Sequence, residues 1–106
     1  MSTETIIVLC THPAGQAAQS LASHLVEQRL AACVNILPEI KSVYSWQGTI
    51  TTDTECQLII KTRSDLFDAI KEAIIQQHPY ELPEVIAVPV TRGHAPYLQW
   101  IIDSTQ

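Results

Sequence analysis

The spacing of apolar positions changes repeatedly along the 106-residue chain, and each change marks an element. Thr5 to Thr11 (TIIVLCT) is a short β-branched, apolar run stopped by His12-Pro13, which predicts a strand leading into a helix. From Ala14, the positions Ala14, Ala17, Ala18, Leu21, Ala22, Leu25 and Val26 step by three and four with polar residues between them. That spacing predicts one amphipathic helix to Leu30. Ala32 to Leu37 (ACVNIL), closed by Pro38, and the alternating stretch Ile40 to Trp46 (IKSVYSW) read as strand, and Gln47-Gly48 supplies a turn. Thr49 to Thr62 returns as a long β-rich stretch, so these segments predict a hairpin arm. At about 3.3 Å per residue the return strand reaches roughly 40 Å, and a bend or bulge is expected near Thr52-Asp53.

Ser64 is placed as an N-cap, with Asp65 and Asp68 near the positive end of a second helix that runs to Gln77. Its inner face is expected to carry Leu66, Phe67, Ile70, Ala73, Ile74 and Gln77. Glu84 to Thr91 (EVIAVPVT) predicts a further strand, which Pro89 assigns to an edge or a bulge because proline lacks an N–H. Pro96 to Ile102 (PYLQWII) predicts a short terminal helix. The order strand, helix, strand hairpin, helix, strand defines a single α+β domain over residues 1–106, a ferredoxin-like split βαβ sandwich with both main helices on one sheet face. Right-handed crossovers put the first strand and the long return strand in the centre, and both are apolar at successive positions, Ile6-Ile7-Val8-Leu9 and Leu58-Ile59-Ile60. The second sheet face therefore needs a cover, and a homo-oligomer is expected to supply it rather than Ile102 and the terminal helix alone.

Composition narrows the function. Six basic against eleven acidic residues give a net charge of −5, which removes the electrostatic footing for nucleic acid or an anionic membrane. No stretch resembles a signal or spanning segment, so a cytoplasmic protein is expected. Three cysteines, Cys10, Cys33 and Cys56, are an odd number with no CxxC, which argues for free thiols rather than a disulfide framework or a closed zinc site. An 11.8 kDa chain should expose about 5,900 Å² if compact.

Familiar catalytic and nucleotide-binding motifs are absent. His24 reads as a surface residue, and His12 and His94, each just before a helix, read as caps. His78 closes the second helix and begins the stiff polar stretch HPYELPE, so it either stabilises the helix C-terminus or belongs to a binding loop. Cys10, at the end of a central strand, is either a packed thiol or half of a thiolate–imidazole ligand pair suited to copper or zinc. Cys33 and Cys56 read as core residues. Lys61, on the other central strand, needs a partner, with Glu55 and Glu84 as candidates, or else anchors a ligand. Trp46, Tyr44 and Trp100 read as anchors of cores or subunit contacts. A Cys10 nucleophile with a His78 base would lack an oxyanion or orienting group, so no catalysis is expected.

Together IIVLCT, LAACVNILP, SVYSWQG, LIIKT, HPYELPEVIAVPV and YLQWI, in that order, resemble the CutA divalent-cation tolerance proteins over nearly the whole chain. The resemblance implies a homotrimer of PII-like architecture, a role in the response to metal ions and copper or another divalent cation as ligand, with no organic cofactor. It implies metal donors at Cys10 and His78. The family's bacterial pattern has consecutive histidines there, and Gln77 stands in place of the first. Glu81, Glu84, water or another subunit are candidates for the missing donors. The alternative is a PII-like signalling or adaptor protein binding a small anion or metabolite in clefts between subunits through Trp46, Lys61, Tyr80 and Glu84.

Overall fold

The computed structural model describes residues 4–106. Strand β1 (Thr5–Pro13) leads into helix α1 (Gln16–Glu27), followed by β2 (Cys33–Trp46), β3 (Thr49–Arg63), helix α2 (Phe67–Gln77), β4 (Ile86–Pro89) and helix α3 (Ala95–Ser104). The sheet order is β2-β3-β1-β4 with every neighbouring pair antiparallel. This is the split βαβ topology, with β1 and β3 central as expected. Pro89 lies on the edge strand β4, where its missing N–H breaks no ladder.

Alternation along the central strands sets the core. Ile6, Val8 and Cys10 of β1 and Leu58 and Ile60 of β3 are buried on one face beneath Ala18, Leu21 and Leu25 of α1 and Ile70 and Ile74 of α2. Helix α1 starts later than expected because Gly15, at φ +129°, turns the chain in a region that L side chains rarely adopt. It ends where Arg29 adopts a left-handed φ of 59° and the Leu30 N–H donates to the Leu25 carbonyl. Ser64 does not cap α2 through its side chain; a 3₁₀ turn over Ser64–Leu66 precedes the helix instead. Gln77 is exposed, and the inner face of α2 continues from Ile70 and Ile74 to the buried His78.

The arm forms as expected, and Gln47 and Gly48 both take positive φ in its two-residue turn. The irregularity lies not at Thr52-Asp53 but between Leu37 and Ile40, where Pro38 and Glu39 of β2 bulge. Pro38 cannot donate to the ladder, so the bulge falls where a hydrogen bond is already lost. Beyond it the arm is a two-stranded ribbon, held partly by the Lys41 ammonium donating to Thr54 at 3.0 Å and by the Tyr44 hydroxyl donating to Asp53. It leaves Val43 67% and Ile50 73% exposed. The uncovered sheet face carries Leu37, Ile86 and Val88 at 42%, 52% and 44% exposure even with α3 packed against β3 and β1. The total surface, 6596 Å², exceeds the compact expectation of about 5,900 Å², and the molecule measures 46 × 26 × 22 Å.

Candidate functional site

The ends of β1, β3 and α2 meet at one corner of the covered sheet face. The last turn of α2 brings His78 over β1, where its Nε2 lies 2.7 Å from the Thr11 carbonyl oxygen. A carbonyl only accepts, so Nε2 carries the proton. The Tyr80 backbone N–H then donates to Nδ1 at 3.1 Å, and both ring nitrogens are engaged. Burial lowers the His78 pKa from its ordinary value, and the neighbouring His12 acts in the same direction.

Buried His12 is the residue that sequence reasoning missed. Its ring packs on that of His78 with centroids 4.7 Å apart. Its Nδ1–H donates to the Pro13 carbonyl at 3.0 Å, and Gly15 rather than His12 begins α1. Ile6, Val8 and Cys10 alternate inward, and one further step reaches His12; ending the strand at Thr11 hid that signal. His94 stands at the start of α3 but, like His12, caps nothing through its side chain.

Cys10 is fully buried on the same face, and its pKa is pushed up to about 12, first by burial and then by Glu84. A thiol so placed is protonated at neutral pH, and ligation requires the ion to displace that proton. Cys56, also buried, points its thiol to the His12 carbonyl at 3.3 Å. All three cysteines are free. Around the same corner the Tyr80 hydroxyl donates to Glu55 at 2.8 Å, and burial followed by that bond raises the Tyr80 pKa. Gln57 Nε2 donates to the Cys10 carbonyl at 3.0 Å and reaches Glu84 at 3.4 Å.

The structure thus brings His78, Tyr80 and Glu84 to one end of the sheet with Cys10 beneath. It does not bring Lys61 or Trp46 there. Lys61 pairs in register with Ile7 and Cys33 towards the other end of β1, and Trp46 stands at the tip of the arm. Neither Glu55 nor Glu84 pairs with Lys61, because those carboxylates engage Tyr80 and Gln57; the Lys61 ammonium lies 3.9 Å from the Cys33 sulfur. Among the described residues, no three His, Cys, Asp or Glu side chains are grouped to hold a metal ion. Glu81 adds no donor to such a group. A groove of about 360 Å³ between α1 and β2, lined by Gln19, Ala22, Val26 and Ile36 among others, contains none of the expected site residues. No helix among the described residues is long and apolar enough to cross a membrane.

A four-stranded antiparallel sheet backed by two helices, with a long arm and a histidine-bearing corner, defines an α+β protein of the ferredoxin-like class. The family model described as CutA1 divalent ion tolerance protein matches residues 6–104, and the chain belongs to that family. It is 47% identical over 102 residues to rice (Oryza sativa subsp. japonica) "Protein CutA 1, chloroplastic", covering 96% of this chain and 58% of that protein. It is 43% identical over 99 residues to the Thermus thermophilus "Divalent-cation tolerance protein CutA", covering 93% and 96%. The crystal structure of CutA1 from Oryza sativa superposes with a TM-score of 0.95 at 46% identity, covering 99% of this chain and 96% of that one. The chain therefore spans a little over half of the rice relative and nearly all of the bacterial one.

Proposed function

We propose that this protein contributes to divalent-cation tolerance by binding the cation directly, as a homotrimer and without catalysis. The observation that carries the reading is the corner where α2 delivers His78 onto the end of β1, one residue beyond Cys10 at its Thr11 contact. His78 is the imidazole donor, and copper, which favours imidazole and thiolate, is the preferred ion. Cys10 joins only as its proton leaves. Three free thiols support a reducing compartment such as the cytoplasm.

Assembly is supported by the uncovered face bearing Leu37, Ile86 and Val88 and by an arm too thin to bury its own apolar side chains. The family resemblance implies three copies. Light scattering at micromolar concentration should return the mass of three 11.8 kDa chains, and a monomer refutes the assembly. For the metal reading, metal-stripped, tag-free protein is titrated calorimetrically with Cu(II) and Zn(II). Saturable binding at about micromolar Kd, lost in His78→Ala, is expected; ligation by Cys10 adds release of about one proton per ion, abolished in Cys10→Ser. Absence of binding refutes direct handling of the ion.

A second reading, a binder of small anions between subunits, draws on Lys61, whose ammonium has no carboxylate partner among the described residues. Tyr80, Glu84 and Trp46 would then have to come from different chains around it. Thermal stabilisation by anionic metabolites with none by metals would select it.

A further inference from the structure

We propose that His12 is the second imidazole donor of an open, two-histidine divalent-cation site shared with His78; this rests on the direct-binding reading of the function. The argument begins with tautomers. His78 Nε2–H is fixed by the Thr11 carbonyl at 2.7 Å, and His12 Nδ1–H by the Pro13 carbonyl at 3.0 Å. Both acceptors are backbone oxygens, so each ring donates from the nitrogen that faces a carbonyl. Histidines that bind metals characteristically donate their other ring N–H to such a partner, which fixes tautomer and ring orientation. The lone pairs left over are Nδ1 of His78 and Nε2 of His12.

Spacing supplies the second leg. Metal–nitrogen bonds of about 2.0–2.1 Å put each ring centroid about 3.2 Å from the ion, so two imidazoles bound at about 90–109° have centroids about 4.5–5.2 Å apart. The observed separation is 4.7 Å, with the rings tilted by 54°. Ligation at His78 Nδ1 displaces only the Tyr80 N–H now 3.1 Å away, at the start of the polar loop that follows α2. With no third His, Cys, Asp or Glu grouped there among the described residues, water completes the shell until the Cys10 thiol gives up its proton and joins. Such a site keeps its ion exchangeable, and its imidazole pair selects copper, nickel and zinc over calcium and magnesium.

The test uses the full-length, tag-free protein loaded with one equivalent of Cu(II), read by electron paramagnetic resonance and pulsed methods that count coupled imidazole nitrogens. Wild type should show two imidazoles, and His12→Ala and His12→Gln should each show one, with Kd weakened about 10- to 100-fold. Circular dichroism verifies that each variant is folded, and the glutamine variant retains bulk at the buried position. Two imidazoles persisting in both His12 variants, or an unchanged Kd, overturns the assignment while leaving direct binding intact. Failure of the wild-type protein to bind Cu(II), Ni(II) or Zn(II) overturns both.

Discussion

Raising the pH above 9 should destabilise this protein, with the Cys10 thiol as one identifiable contributor. The Cys10 thiol is fully buried, and its pKa stands at about 12 against an ordinary 9.0. A raised native pKa means that the folded state holds more protons than the unfolded state between those two values, so stability is intact below pH 9 and falls towards pH 12. With those two pKa values the loss from this group is on the order of 1–3 kcal/mol between pH 10 and pH 11. Urea unfolding of wild type and Cys10→Ala at pH 8, 10 and 11 isolates the effect, because the variant removes the titrating thiol while keeping Tyr80 and Cys56. The Cys10→Ala protein should be less stable at pH 8 and close part of that gap as pH rises. Alkylation of Cys10 should be far slower than that of a small free thiol at every pH below unfolding. Parallel loss of stability in both proteins, or rapid alkylation of Cys10 at pH 8, would refute the argument that burial holds this proton.

Three further outcomes follow from the geometry. Gly15→Ala should lower stability by about 1–3 kcal/mol, since φ is +129° and the added Cβ meets nothing within 4 Å, leaving backbone strain as the whole effect; an unchanged melting temperature would contradict it. Tyr80→Phe should cost about 1 kcal/mol by depriving buried Glu55 of its hydroxyl donor, the smaller end of the range because the ring is partly open to water; chemical denaturation measures it, and a neutral result means water replaces the phenol. Ile60→Ala, at a fully buried position on β3, should cost about 2–5 kcal/mol in the same assay, and wild-type stability would displace the core from the helix-covered face.

Local signals along the chain were enough to specify the elements and their order. Helical spacing in α1 and α2, the apolar runs of β1 and β3, the Gln47-Gly48 turn and the edge position of Pro89 are local signals, readable within a few residues. They also placed an uncovered apolar face opposite the helices. The corner depended on the fold: His12 meets His78 and Tyr80 meets Glu55, 25 residues away, only once register and helix packing are set. Pairing His12 with Cys56 turns that imidazole inward with Cys10, and the last turn of α2 passes the buried position to His78 instead of Gln77. Lys61 shows the same limit, because the carboxylates nearest in sequence logic were taken by Tyr80 and Gln57. Periodicity reports which side of its own element a residue occupies. Which side chain stands opposite is decided by the packing of elements distant in sequence, and that packing joined two histidines into the candidate site.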